Sequence, residues 1–336
     1  MKKLIAAAVA SSMTAFAMAD ISITGDAKYE YDLTDNAGTK TTTANTEAHI
    51  NFAGKNGDTG FVANFQLVER GADTSDGTGN VDGDFDMEDT YITTSVAGVG
   101  IKAGNYASGT SALAGEIEQG GRSTGKVTMS YKLGDISLYA GNGGTASGGA
   151  DGGINNNMFA GASTTVAGQT LHIKKASDTR DNFGIKGNVG GVSYRYENVD
   201  QSATSTYTAG EADYFEVSGT VSGITLQYAK LDADNATLLE EDDSAVFAVE
   251  AGGSSYTSTV KEQDQIAVST TVDGNKITIK NGTLKNGISS TKDTDYTQVG
   301  VSRALSSGAT AVITYTDTDV SGGSKENLEI ELNVKF

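Results

Sequence analysis

Asn327-Leu-Glu-Ile-Glu-Leu-Asn-Val-Lys-Phe336 closes the chain. Leu328, Ile330, Leu332, Val334 and Phe336 share one parity, and Asn327, Glu329, Glu331, Asn333 and Lys335 share the other. Successive strand side chains point to opposite faces, so an unbroken period of two predicts a strand with one apolar and one polar face. In a soluble sheet the apolar face would pack on a core. In a membrane barrel it would meet lipid, and the polar face would line a lumen.

The same pattern recurs upstream. In Ile21-Ser-Ile-Thr-Gly-Asp-Ala-Lys-Tyr-Glu-Tyr31 the Ile, Gly, Ala and Tyr side alternates with Ser22, Thr24, Asp26, Lys28 and Glu30. Val127-Thr-Met-Ser-Tyr-Lys-Leu133 and Phe183-Gly-Ile-Lys-Gly-Asn-Val189 repeat it, as do Ile277 and Ile279 in Asn275-Lys-Ile-Thr-Ile-Lys280. Two kinds of connection separate the strands. Tight ones carry Gly, Asn or Asp, as in Lys55-Asn-Gly-Asp58, Ala97-Gly98, Ala167-Gly168 and Asp273-Gly-Asn275, where positive φ suits a two-residue hairpin. Long polar ones span 32–45, 70–84, 107–123, 143–154, 201–210, 233–261 and 284–293. Their alternation is the rhythm of an up-and-down barrel with short periplasmic turns and long outer loops. The expected fold is all-β: a transmembrane antiparallel barrel of about 16 to 18 strands, with the hairpin over 169–189 deciding the number. Either number leaves a water-filled interior.

Composition agrees. There is no proline to interrupt a hydrogen-bonded ladder, and 43 glycines supply turns. No cysteine is present, which removes disulfides, thiolate nucleophiles and thiolate metal sites. No apolar run approaches the roughly 18 residues of a membrane helix. A net charge of −19 argues against nucleic acid and favours cations as partners.

The N-terminus carries an export signature. Met1-Lys-Lys is a basic n-region, residues 4–10 are a short apolar stretch, and Ala17-Met18-Ala19 is a small-residue cleavage site. Residues 1–19 are therefore expected to be a signal peptide, with residues 20–336 forming an outer-membrane barrel.

At this point the chain resembles the general, non-specific diffusion porins of Gram-negative bacteria. Leu332-Asn-Val-Lys-Phe336 resembles their ending, in which the terminal Phe is the signal read by the outer-membrane assembly machinery. Tyr296-Thr-Gln-Val-Gly-Val-Ser-Arg-Ala-Leu-Ser-Ser-Gly-Ala-Thr310 resembles their penultimate hairpin. Val99-Gly-Ile-Lys-Ala-Gly104, after Tyr91-Ile-Thr-Thr-Ser-Val-Ala97, resembles the strand pair that feeds their third loop. The resemblance implies a loop 3, here residues 106–121, folded into the barrel, with Glu116, Glu118 and Arg122 at the constriction. The chain departs from the family where Gly104-Asn105 replaces a Gly-Arg pair and where loop 3 lacks a proline. The family also implies a homotrimer, with the acidic second loop at 70–84 placed to latch a neighbour, embedded among outer-membrane lipid and lipopolysaccharide.

Parity supplies wall candidates. Lys28, Lys102, Lys132, Lys174, Lys186, Arg195, Lys276 and Lys280 all fall on the polar face. Lysine or arginine on the lipid face at the bilayer midplane would cost about 2–4 kcal/mol, which by itself explains inward placement.

Other chemistries find less support. His49 and His172 have no neighbouring nucleophile motif, and Gly-x-Ser-x-Gly, His-Glu-x-x-His and phosphate-loop patterns are absent, so no enzyme and no cofactor is expected. Asp82-Gly-Asp-Phe-Asp-Met-Glu-Asp89 and Glu240-Glu-Asp-Asp243 offer the oxygen donors that suit calcium or magnesium, but without an EF-hand register they read as solvated acidic loops, and no metal is expected. The expected function is passive diffusion of ions and small hydrophilic solutes, filtered by size and charge, with cation preference. The alternatives are a substrate-selective channel and a structural or adhesive surface barrel.

Overall fold

The computed structural model describes residues 20–70, 83–107, 122–142, 158–176, 180–203, 209–234, 246–249, 262–285, 293–320 and 323–336. The candidate signal peptide lies outside them.

The first third of the barrel contains β1 (Asp20–Asn36), β2 (Thr39–Asn56), β3 (Thr59–Arg70), β4 (Gly83–Val96), β5 (Val99–Ala107) and β6 (Arg122–Leu133). It continues with β7 (Ile136–Asn142), β8 (Met158–Val166), β9 (Gln169–Ala176), β10 (Arg180–Val189), β11 (Val192–Gln201) and β12 (Gly210–Val221). The last third is β13 (Ile224–Ala233), β14 (Glu262–Val272), β15 (Asn275–Lys285), β16 (Thr294–Ala304), β17 (Ala309–Val320) and β18 (Gly323–Lys335). Each strand pairs antiparallel with the next, and β1 pairs with β18, so 18 strands close into one barrel. The 169–189 hairpin is two full strands, β9 and β10, which sets the number at the upper expectation.

Turn chemistry explains the rim of short turns. Ala97-Gly98, Ala167-Gly168, Ser222-Gly223 and Asp273-Gly274 all take positive φ at both positions, the twist that lets two-residue hairpins match their strands. One outer connection differs from expectation. Residues 32–45 are not a loop: β1 and β2 run on to meet at Ala37-Gly38, with φ of 49° and 90°. The reason is the β-branched run Thr41, Thr42 and Thr43, which prefers strand to loop.

Closure is sealed at Phe336. Its N–H donates to the Gly25 carbonyl at 2.9 Å, and its carbonyl accepts from the Gly25 N–H at 2.9 Å. The ring lies over Gly25, where a Cβ would stand 2.6 Å from it. Glycine is thus required opposite the terminal aromatic.

The outer face is apolar all round. Ile23, Ile92, Met129, Leu133, Ile173, Leu226, Ile266, Ile279, Ile313 and Leu332 are all exposed there. Such a continuous apolar surface has no stable contact with water, whereas it matches the lipid-facing band of a barrel.

Toward the outer ends of β11 to β16 this polarity inverts. On β13 Ile224, Leu226 and Tyr228 point outward, followed on the same face by Lys230 and Asp232. On the inner face Thr225 and Gln227 give way to Ala229, Leu231 and Ala233, all buried. Outside, Lys230 pairs with Glu262 at 3.1 Å, and Lys285 pairs with Glu262 at 3.2 Å. Inside, Val199, Ala212, Tyr214, Leu231, Leu284 and Tyr296 form one buried apolar cluster. These strand ends therefore hold a small core inside the barrel and a charged collar outside it.

Candidate functional site

The lumen wall is divided by charge. On β18, β1 and β2, Glu30, Glu329 and Glu331 bring carboxylate oxygens within 4.8 Å of one another. Lys28 stands among them, 2.8 Å from Glu30 and 3.7 Å from Glu47. The His49 ring nitrogens lie 3.1 Å from Asp26 and 3.0 Å from Glu47, and Gln66 donates to Glu47 at 2.5 Å. In a ring of 18 strands β10 stands opposite β1. There the wall is cationic: Lys186 and Arg195 occupy accessible inner positions of β10 and β11, with Lys174, Arg180 and Glu197 buried toward the outer ends of β9, β10 and β11. Arg195 approaches Glu216 to 3.6 Å, and Arg180 donates to Gln201 at 2.6 Å. Opposed walls of opposite sign orient a dipolar or charged solute in transit.

Between them, on β4 to β6, lies an aromatic cage. Lys102 Nζ sits 3.8 Å from the centre of the Tyr91 ring and 4.0 Å from that of Tyr106. Rings on both sides hold the ammonium by cation–π attraction. Lys126 is buried and donates to the Tyr106 carbonyl at 3.0 Å. Lys132 lies on the inner face close to the β6–β7 turn, where it is exposed. Further round, Tyr139 stacks on His172 with ring centres 5.9 Å apart and bonds its Nε2 at 2.5 Å.

The residues expected at the constriction are only partly placed. Glu116 and Glu118, with the expected inward loop 3, lie outside the described residues. Arg122 is the first residue of β6, its backbone opposite Ala107, and its side chain lies outside the described set.

A different segment is found inside the barrel. Val246, Phe247, Ala248 and Val249, from the β13–β14 connection, rest on the inner faces of β12 to β16. Phe247 meets Tyr214 edge to face at 6.3 Å. The wall answers the segment's backbone with side chains. Gln265 donates to the Val246 carbonyl at 2.6 Å and accepts from the Ala248 N–H at 2.8 Å. Gln263 donates to the Val249 carbonyl, Gln298 to the Ala248 carbonyl at 3.4 Å and Lys280 to the Phe247 carbonyl at 3.5 Å. Tyr296 ties the two glutamines, accepting from Gln263 at 3.0 Å and donating to Gln265 at 3.3 Å. Gly282 makes room for it, since a Cβ there would fall 2.4 Å from the Tyr296 hydroxyl oxygen. Sequence reading placed this segment in a solvated outer loop. The overlooked signal was an apolar run, residues 245–249, inside an acidic connection. A second signal was the appearance of Leu231, Leu284 and Tyr296 at lumen parity.

Beneath the segment the lumen opens into a space of about 450 Å³ lined by hydroxyls and amides. Ser218, Gln227, Ser269, Thr278 and Gln298 contribute, with Lys276 and Lys280 as its cations.

No family model matches the chain, and no curated protein matches it. Solved structures do. The fold is that of an outer-membrane channel. Pseudomonas aeruginosa OccK8 (OprE) aligns with a TM-score of 0.67 at 13% identity, covering 94% of this chain and 98% of that one. P. aeruginosa OccK2 (OpdF) in complex with glucuronate aligns with a TM-score of 0.67 at 11% identity, with the same coverage. P. aeruginosa OpdK with vanillate gives the same TM-score, identity and coverage as the OccK2 complex. Identities this low establish the shared fold.

Proposed function

We propose that the protein is an outer-membrane channel selective for small hydrophilic solutes, organic acids among them, rather than a general diffusion pore. The observation that carries this reading is the division of the lumen into an acidic wall on β18, β1 and β2 and a cationic wall on β9 to β11. A carboxylate in transit would follow Lys186 and Arg195, the accessible cations of that wall, while hydroxyls would exchange bonds with the amide and hydroxyl wall of β12 to β17. Two of the matched channels carry the acids glucuronate and vanillate, which favours the same class. Export with loss of residues 1–19, assembly as a homotrimer and contact with lipopolysaccharide belong to the same proposal.

The test is reconstitution in two formats. In planar bilayers under a salt gradient, stepwise openings are expected. In swelling assays with proteoliposomes, glucuronate is expected to enter faster than glucose, a neutral sugar of similar size. Equal rates would return the protein to general diffusion. Absence of conductance from a folded, inserted barrel would leave the structural or adhesive reading.

A further inference from the structure

We infer that the membrane is thinner against one side of this barrel than against the other, with the thin arc over β10 to β13 and the tall arc over β17, β18 and β1. This goes beyond the solute reading and rests on the outer-membrane fold alone.

The edge of the apolar band nearest the short turns follows their rim all round. Val96, Leu133, Val166, Val189, Val221 and Val272 each stand beside a turn, exposed on the outer face. The opposite edge does not keep a level. On β13 the outward residues are Ile224, Leu226 and Tyr228, and then Lys230. Ile224 to Tyr228 is about 14 Å along the strand at about 3.4 Å per residue. On β1 the outward parity from Ile21 to Leu33 holds only Ile, Gly, Ala, Tyr and Leu before Asp35. That run is about 40 Å long. A strand tilt of roughly 35–45° reduces the two to about 10 and about 30 Å across the membrane, against a usual band of about 25 Å.

Aromatic rings mark both edges as lipid edges. Phe183, Tyr196, Phe215 and Tyr228 are the last outward rings before Asp181, Asn198, Asp213 and Lys230. Phe183 and Tyr196 have ring centres 6.4 Å apart, and the Tyr196 hydroxyl donates to Asp213 at 2.7 Å. On the tall arc Tyr315 precedes Asp317, and Leu33, Leu328 and Tyr315 share a cleft with Asp35, Lys40 and Glu326. Aromatic girdles of this kind sit where hydrocarbon meets water. A level bilayer would bury the edge at Asp213 and Lys230 or leave Leu33 and Leu328 in water. A bilayer thinned beside the short stretch satisfies both arcs.

The experiment places one reporter at each edge. The protein has no cysteine, so Leu33→Cys, Lys230→Cys and Ile21→Cys each supply a unique thiol for a bimane label. Each refolded variant is inserted into dioleoyl phosphatidylcholine vesicles with and without lipid brominated along its acyl chains, which quenches bimane in contact with hydrocarbon. Labels at positions 33 and 21 are expected to lose most of their fluorescence, and the label at 230 to keep nearly all of it. Leu33 stands farther from the short-turn rim than Lys230, so no level bilayer gives that pattern. Leu328→Cys and Asp213→Cys report the same two edges should a first variant not insert. Quenching at both 33 and 230 overturns the inference, because a level bilayer then covers the charged collar. Quenching at neither, or at 230 alone, overturns it too and leaves Leu33 to water or to a neighbouring protein. Quenching at 33 without quenching at 21 overturns it in favour of a barrel tilted in a flat bilayer.

Discussion

The two sides of the lumen are built from the same strand alternation and do opposite things with it. On β18, β1 and β2 the inner positions hold Asp26, Lys28, Glu30, Glu47, His49, Glu329 and Glu331, among which Lys28 and His49 pair with the carboxylates beside the water-filled interior. At the outer ends of β11 to β16 the equivalent positions hold Val199, Tyr214, Leu231, Leu284 and Tyr296, which pack on an inserted peptide. Alternation decides which side chains enter the lumen. What they meet there, water or protein, is decided by the residues chosen.

The most damaging way to break the contrast is to truncate the packed side. Leu284 is completely buried against the inserted segment. Leu284→Ala is expected to cost about 2–5 kcal/mol, the range for a leucine removed from a well-packed core. Glu329→Gln on the acidic wall removes a charge but leaves no cavity, and should cost far less. Urea unfolding in detergent, followed by the loss of heat-modifiable mobility, compares them. Equal losses would mean that both sides are core.

A second comparison separates lipid from lumen on one strand. Met129 is exposed on the outer face of β6, and its neighbour Ser130 points inward. Met129→Lys is expected to destabilise the folded barrel in bilayers by up to about 4 kcal/mol, and Ser130→Lys by almost nothing. Similar effects at the two positions would deny the assigned faces.

Much of this was legible beforehand. Isolated apolar–polar alternation in residues such as Ile277, Thr278 and Ile279 is enough to define a strand and its two faces. Positive-φ pairs such as Ala167-Gly168 are enough to define a hairpin. Legibility failed where the physical setting changed along a strand. At Thr41, Thr42 and Thr43, polar composition suggested a loop, although β1 and β2 pair across the whole stretch. On β13 the switch from Leu226 outward to Leu231 inward was visible as a pattern, but its meaning depends on Phe247, which is 16 residues further along, in the connection that leaves β13 and folds back inside the barrel. The third-loop candidates Glu116 and Glu118 came from family resemblance and had no local physical signal of their own.

The acidic wall offers a third, smaller effect. Glu329 and Glu331 lie beside Glu30 in the lumen. Glu329→Gln combined with Glu331→Gln should move the reversal potential under a salt gradient toward anion preference, because the cationic wall of β9 to β11 is left intact. The shift should shrink as salt is raised, since the Debye length falls to about 8 Å at physiological ionic strength. An unchanged potential would place the charge filter elsewhere.

The smallest effect carries the sharpest information about where lipid ends. Lys230, Glu262 and Lys285 form a chain of ion pairs on the outer face, above the apolar positions of the same strands. If this collar stands in water, Lys230→Leu loses an exposed pair, worth within about 1 kcal/mol and weakened by salt. If it stands in lipid, the same substitution removes a buried charge and stabilises the barrel by about 2–4 kcal/mol. The inversion of polarity on β13 argues for water: the inner face turns apolar at the height where the outer face turns charged, so the apolar band has ended outside before the insert's core begins inside. A small loss that disappears at high salt is the expected result. A clear gain in stability would move the membrane boundary outward past Lys230 and place the inserted segment within the bilayer's span.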